Sequence, residues 1–137
     1  MTPAICWRQF SVKRRDRYDV TDGAFLPNGD LLLLERRFEL ATGIGMRIRR
    51  IEGTNIRPGA VVDGEILMEA GLGYQIDNME GLDVIAEADG SVRIIVTSDD
   101  NHSMLERNLM LEFRLSAPNA DSATNEGAAH PDGHATQ

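Results

Sequence analysis

Apolar and polar residues alternate with a period of two along most of this chain, which is the pattern of β-strands rather than helices. No stretch carries an apolar stripe of helical period over three turns, and the only helical alternative is a short helix near residues 76–79. The four leucines at 31–34 predict a strand that is buried on both faces. The predicted strands cover residues 5–12, 24–26, 31–38, 45–52, 61–70, the two arms of a hairpin at 84–97, and 108–115.

One sequence pattern occurs twice in the chain. Asp22-Gly23 precedes a strand, an Asn-Gly turn and a second strand, and Glu80-Gly81 precedes a strand, an Asp-Gly turn and a second strand. Glycine-turned, all-strand repeats of this length are typical of propeller blades. Since two blades cannot close a ring, we predict an all-β, incomplete β-propeller-like domain of about two antiparallel meander blades at residues 1–115.

The second hairpin is flanked by two acidic motifs, one around Glu80 and one that begins at Ser98. Because hairpin strands are antiparallel, the two motifs are expected to lie side by side. Carboxylate and amide oxygens are the ligands that Ca²⁺ prefers, so this region is a candidate calcium site. The predicted metal ligands are Asp77, Glu80, Asp99, Asp100 and Asn101.

Composition limits the classes of partner. The 137 residues carry a net charge of −8, and residues 1–17 hold five basic residues against Asp16, so the remainder carries −12. An acidic body argues against nucleic-acid binding. The basic cluster at residues 13–17 has two interpretations, contact with an anion or a solvated turn, and we favour the turn. No segment is long and apolar enough to span a membrane.

The two ends of the chain and its only cysteine contain none of the predicted catalytic or metal-binding residues. Residues 116–137 have almost no large apolar side chains, so we predict a disordered tail. Cys6 can form no internal disulfide, and a small buried side chain is its favoured role. No export signal is recognised near Arg14-Arg15, because no apolar region follows this pair.

Several runs together resemble the bacterial esterase-like activity of phytase family. The runs at residues 74–82, 98–101 and 105–113 resemble its C-terminal end, and the run at 31–38 resembles the preceding blade. The resemblance implies a β-propeller-like fold, hydrolysis of a phosphate or carboxylate ester, and a periplasmic or secreted location for the parent protein. Family members are longer than this chain, so the resemblance also implies a C-terminal fragment, completed by the remaining blades or by self-association.

The resemblance also implies roles for individual residues. In propeller phytases Ca²⁺ holds and polarises the substrate phosphate, and the carboxylates act as ligands or base. The predicted catalytic residues are Glu80, Asp99 and Arg107, and Arg36 and Arg37 are predicted to contact the substrate. We expect any hydrolase activity to belong to the full-length parent, with the isolated chain inactive and prone to association through open strand edges.

A second interpretation assigns the same residues to structure. Asp and Asn at strand ends commonly cap turns through backbone amides, and Glu80 could simply pair with an arginine of the neighbouring blade. The chain would then be a non-catalytic propeller module that binds a ligand or a protein. Since neighbouring residues of a strand point to opposite faces, Arg36 and Arg37 are expected to point in different directions under either interpretation.

Overall fold

Nine strands make up the regular structure in the computed structural model, which describes residues 8–74, 76, 78–99 and 108–116. The strands are β1 (Ser11–Val12), β2 (Asp19–Phe25), β3 (Leu31–Glu39), β4 (Gly43–Ile51), β5 (Val61–Val62), β6 (Glu65–Ala70), β7 (Met79–Ala86), β8 (Val92–Ser98) and β9 (Met110–Leu115). Two single turns of 3₁₀ helix, Gly53–Asn55 and Leu72–Tyr74, complete the regular elements. No helix in these ranges is long and apolar enough to cross a membrane.

The strands form two antiparallel meander sheets and one short parallel pair. The first sheet has the order β2-β3-β4-β6, the second has the order β7-β8-β9, and β1 pairs with β5. The predicted all-β fold is therefore confirmed, and two side-by-side meanders are consistent with an incomplete propeller-like fragment. The alternative of a short helix near residues 76–79 is not seen at the described residues 76, 78 and 79, since Met79 begins β7 and the preceding helical turn is Leu72–Tyr74.

The repeat seen in the sequence corresponds to two hairpins with the same turn. In the β2–β3 turn the Leu26 amide donates to the Asp30 carbonyl, and the Gly29 amide donates to the Leu26 carbonyl. In the β7–β8 turn the Glu87 and Gly90 amides make the same two bonds. Gly29 and Gly90 have φ angles of 90° and 82°, which favour glycine at this turn position.

The main core lies between the two sheets. Alternate residues of β3 and β4 pack against alternate residues of β7 and β8, and the members of the core include Leu32, Leu34, Met46, Ile48, Met79, Leu82, Val92, Ile94 and Val96. The odd-numbered residues of β3 face the other way and join a smaller cluster, in which Leu31 and Leu33 contact Ile51 and Val62. Residues 31–34 are thus buried on both faces of the sheet, as the unbroken leucine run predicted.

One predicted strand, residues 61–70, is divided in two. Gly64 lies so close to β4 that a Cβ atom on it would be only 1.9 Å from the Arg50 carbonyl oxygen. The Asp63 carboxylate is bound by Arg15 and Arg49, which hold this residue out of the ladder. The chain therefore breaks at Asp63-Gly64, and β5 pairs with β1 whereas β6 pairs with β4.

Candidate functional site

The two sheets share a small polar group where β3 approaches β7. The Arg36 guanidinium donates through Nη1 to the Asn78 Oδ1 atom and to the Glu80 Oε1 atom, the second bond being 2.9 Å long. The Asn78 amide donates to the same Glu80 oxygen at 2.6 Å. These three side chains form a closed triangle that joins the first sheet to the second.

Strand geometry explains why these residues meet. Arg36 follows Leu32 and Leu34 at alternate positions of β3, so its side chain lies on the face of the sheet that packs against β7. The β7–β8 ladder shifts register between Met79 and Gly81, and such a bulge re-aims the side chain that it contains. Glu80 occupies this bulge, at the point where the two sheets come together.

The second acidic motif lies beside the first. Met79 is opposite Ser98 in the ladder, and the Asp99 amide donates to the Asn78 carbonyl at 3.0 Å. The predicted convergence of the two ends of the hairpin is therefore observed in the backbone, at Asn78 and Asp99. Asp99 is exposed to solvent. Four other predicted site residues, Asp77, Asp100, Asn101 and Arg107, lie outside the described residues.

A cleft of about 710 Å³ opens next to the triangle. It is lined by Arg14, Arg17, Asp19, Arg36, Phe38, Glu39, Ile44 and Asn78. Asp19 lies opposite Arg36 in the β2–β3 ladder and pairs with Arg14 at 2.9 Å, and Arg17 lies 3.6 Å from Glu39. The wall of the cleft thus carries three guanidinium groups, of which the sequence analysis assigned only Arg36 to a substrate.

The basic segment at residues 13–17 forms an exposed turn above a buried ionic network. Asp16 and Arg17 have φ angles of 52° and 60°, which non-glycine residues seldom adopt. Arg47 donates to the Arg15 carbonyl at 3.0 Å and Arg49 donates to the Lys13 carbonyl at 2.8 Å. These buried arginines hold the turn in its strained conformation, which places Arg14 and Arg17 at the cleft.

The centre of that network is Glu35, which is not among the residues predicted from the sequence. Its carboxylate binds both Arg47 and Arg49, and all three side chains are at most 1% exposed. Burial lowers the pKa of the Arg47 guanidinium, but the hydrogen bonds and charges of Glu35 and Asp16 outweigh this and leave the pKa above its ordinary value. Two features of the sequence indicate that Glu35 is buried. It directly follows four leucines, and the next strand carries arginines at the positions that lie opposite it.

Arg37 lies on the opposite face of β3 from Arg36. Its guanidinium carbon is 5.0 Å from the centre of the Tyr18 ring, and that of Arg47 is 4.2 Å away. The Tyr18 hydroxyl donates to Glu69 at 3.1 Å, and burial together with this bond raises the pKa of Tyr18. The expectation that the two arginines point in different directions is confirmed, and Arg37 does not line the cleft.

The described side chains do not by themselves form a calcium site. In these ranges no group of three His, Cys, Asp or Glu side chains is arranged to hold a metal ion. Of the five predicted ligands only Glu80 and Asp99 are described, and the Glu80 carboxylate is already paired with Arg36. Two carboxylates fall well short of the six to eight oxygen ligands that Ca²⁺ takes.

Comparison with known families agrees with the resemblance noted in the sequence. Residues 2–102 match the family described as phytase-like, esterase-like activity of phytase, which is most of the chain. The chain belongs to the phytase-like family. The curated proteins and the solved structures gave no match.

The phytase-like match contains part of the predicted site and not all of it. Arg36, Asn78, Glu80 and Asp99 all lie within residues 2–102, as does the basic turn that contributes Arg14 to the cleft. Arg107 and the whole of β9 lie beyond the matched residues. The Arg36–Asn78–Glu80 triangle is therefore the part of the site for which geometry and family membership coincide.

Proposed function

We propose that this phytase-like chain contributes the anion-binding wall of a phosphoester or ester hydrolase. The observation that carries the proposal is the Arg36–Glu80 pair, a cation and a carboxylate 2.9 Å apart, of which Arg36 lines the open cleft. Their side chains remain 40% and 36% exposed, so water and a substrate can reach both.

Arg36 is suited to bind the anionic oxygen of a phosphate or the carbonyl oxygen of an ester. Among the described residues both of its side-chain bonds use Nη1, which leaves Nη2 and Nε to meet a ligand. Arginine recognises phosphate and carboxylate with two parallel N–H donors, and this arrangement also fixes the orientation of the bound group.

Glu80 is the proposed general base. In the proposed step a water molecule gives a proton to the Glu80 carboxylate while its oxygen attacks phosphorus or the carbonyl carbon. The bond to the ester oxygen then breaks, and the departing oxygen takes up the proton that Glu80 accepted, which regenerates the carboxylate. Asn78 holds the Glu80 carboxylate in place through its 2.6 Å hydrogen bond, and Asp99, whose backbone amide bonds the Asn78 carbonyl, is a further carboxylate at this end of the hairpin.

Calcium assistance stays a prediction from the sequence. It depends on Asp77, Asp100 and Asn101 together with Glu80 and Asp99, and no step above requires it. Thermal unfolding measured with and without Ca²⁺ tests it, since an ion that binds the folded state raises the unfolding temperature, and the rise grows with the ion concentration. The family also suggests a periplasmic or secreted parent protein, which fractionation of the source cells would test.

The decisive experiment is hydrolysis of p-nitrophenyl phosphate and p-nitrophenyl acetate by the full-length protein. We expect one of the two to be cleaved, Glu80→Gln to lower kcat by about 10²–10⁴-fold, and Arg36→Gln to raise KM. Arg37→Gln is the matched control, because this neighbouring arginine lies on the other face of β3 and should leave both constants nearly unchanged. The proposal is contradicted if neither ester is cleaved, or if Arg36→Gln and Arg37→Gln change KM equally.

A further inference from the structure

The outer edge of the second sheet has no partner strand among the described residues. The first sheet continues from β4 to a fourth strand, β6, whereas the second ends at β9 in the described part of the chain. A strand edge of this kind presents unpaired N–H and C=O groups, which pair readily with another strand. The edge lies two strands from Glu80 on β7, or roughly 10 Å across the sheet, so it is separate from the proposed active site.

The direction of each backbone group along β9 follows from its pairing with β8. The Ser98 amide donates to the Leu109 carbonyl at 2.9 Å, so the backbone of residue 109 faces β8. Direction alternates along a strand, so residues 111, 113 and 115 also face β8. The backbone N–H and C=O groups of Met110, Glu112 and Arg114 therefore face outward and are available to a new strand.

An apolar groove runs along the same edge. Open spaces of about 300 and 220 Å³ lie between β6 and β9. Met68 of β6 and Phe113 of β9 line both spaces, Leu111 lines one of them and Leu115 lines the other. A strand added at the edge would bring its own inward-facing side chains over this groove and bury apolar surface that is now partly exposed.

The sequence of β9 is complementary to itself in one antiparallel register. We infer that a second copy of this chain binds at this edge, with the two β9 strands related by a two-fold axis at Phe113. In that register Glu112 of each copy lies opposite Arg114 of the other, and Leu111 lies opposite Leu115. Charged pairs then meet on the exposed face and apolar pairs meet on the groove face, both of which stabilise paired strands.

Charge and hydrogen bonding together select this register. An axis at residue 112 would place two Glu112 side chains opposite each other, and an axis at residue 114 would do the same with Arg114; like charges in these positions destabilise pairing. A register shifted by one residue would set outward-facing backbone groups against inward-facing ones. With the axis at Phe113, Glu112 and Arg114 form hydrogen-bonded pairs through their outward backbone groups. The resulting dimer is symmetric and closed, so it does not grow into larger assemblies.

Charge exchange across the axis tests the inference. We expect sedimentation velocity of the full chain to show a monomer–dimer equilibrium, and Glu112→Arg or Arg114→Glu to weaken it at least about tenfold. The double variant Glu112→Arg/Arg114→Glu restores opposite charges across the axis and should recover most of the dimer, while it loses the pairs of Arg114 with Asp89 and of Glu112 with Arg93 within each chain. Arg57→Glu, at an exposed turn position, is the control and should leave the equilibrium unchanged. Circular dichroism and thermal unfolding confirm that each variant is folded.

A cysteine placed on the axis tests the register independently. In a Cys6→Ser background, Phe113→Cys faces its own copy and should give a disulfide-linked dimer on mild oxidation, whereas Leu111→Cys faces Leu115 and should not. A chain that stays monomeric at all concentrations overturns the inference, as do larger oligomers, a dimer that all the charge variants leave unchanged, or equal cross-linking at both positions. The inference is independent of the proposed hydrolase activity, because none of these readouts involves catalysis.

Discussion

The hairpins β2–β3 and β7–β8 have the same turn, made by the same two hydrogen bonds and the same left-handed glycine, but their surroundings differ. The first belongs to a four-stranded sheet whose outer face is covered by residues 10–18 and β5, and this face contains the buried Glu35 network. The second belongs to a three-stranded sheet whose outward face carries the exposed side chains of Ile85, Met110 and Glu112.

The difference shows which features are local and which depend on the neighbouring chain. An Asx-Gly turn between two apolar runs is enough to form a hairpin in both places. Burial of a charged side chain depends on distant parts of the chain. Arg47 and Arg49 are buried because the N-terminal segment covers this face of the sheet, and its backbone carbonyls accept their hydrogen bonds. In the second sheet Arg93 pairs with Glu87 at 2.9 Å and both side chains stay partly exposed.

The largest expected effect comes from Glu35→Ala. This substitution leaves Arg47 and Arg49 buried without their shared carboxylate, which should lower the free energy of unfolding by about 3–5 kcal/mol. Urea unfolding followed by circular dichroism measures it. Glu87→Ala removes an exposed ion pair from the second sheet and should cost about 1 kcal/mol or less. Similar costs for the two variants would mean that the sheets do not differ as described.

The corresponding glycines of the two repeats should also respond differently. A Cβ atom at Gly81 would lie 2.4 Å from the Thr97 Oγ1 atom, whereas at Gly23 the nearest atoms are 3.2 Å away. We expect Gly81→Ala to cost about 1–3 kcal/mol and Gly23→Ala to cost less. Thr97→Ala removes the obstructing oxygen, so the double variant Gly81→Ala/Thr97→Ala should recover part of the loss in urea unfolding. Absence of any recovery would contradict the close approach.

Asp63 should make the first sheet sensitive to acid. Burial raises the pKa of Asp63, but hydrogen bonds from the Gly64 amide and the Arg15 and Arg49 guanidinium groups outweigh it and leave the pKa below 3.8. Asp63 therefore stabilises the fold above pH 3.8, and this contribution is lost as the pH falls through its lower folded pKa. Asp63→Asn should cost about 1–2 kcal/mol at pH 7 and progressively less below pH 3.8.

Urea unfolding at a series of pH values checks this prediction, with Asp89→Asn as the counterpart in the second sheet. Hydrogen bonds from Ser91, with the nearby Arg114, also lower the pKa of Asp89, so its effect should have the same sign. Because Asp89 is much more exposed than Asp63, we expect the smaller effect at every pH. A cost of Asp63→Asn that did not change with pH would contradict the account.

Tyr18→Phe should have a smaller effect than the substitutions of Glu35, Gly81 and Asp63. The substitution removes the 3.1 Å hydrogen bond to Glu69 and keeps the ring against which Arg47 and Arg37 pack. We expect a loss of about 1 kcal/mol in urea unfolding, and a larger loss for Tyr18→Leu, which also removes the ring. Equal losses would mean that the ring contacts contribute nothing.

The sequence predicted the features that depend on local pattern. Strand periodicity and the Asx-Gly turns located both hairpins, and antiparallel pairing brought Asp99 beside Asn78 as expected. Two features depend on three-dimensional context and were missed. The arginines of β4 look solvent-facing in an alternating pattern, and only the covering N-terminal segment makes them buried. Likewise, nothing local shows that the strained turn directs Arg14 towards the cleft that contains Arg36.

Titration of inorganic phosphate, followed by calorimetry, tests most directly the claim that Arg36 and Glu80 form one anion-binding site. We predict that the wild-type chain binds phosphate and that Arg36→Gln abolishes binding. Glu80→Gln should tighten binding, because it removes the carboxylate that competes for Arg36, and this gain should disappear in the Arg36→Gln background. Phosphate affinity that is unchanged by Arg36→Gln, or additive effects of the two substitutions, would contradict the account.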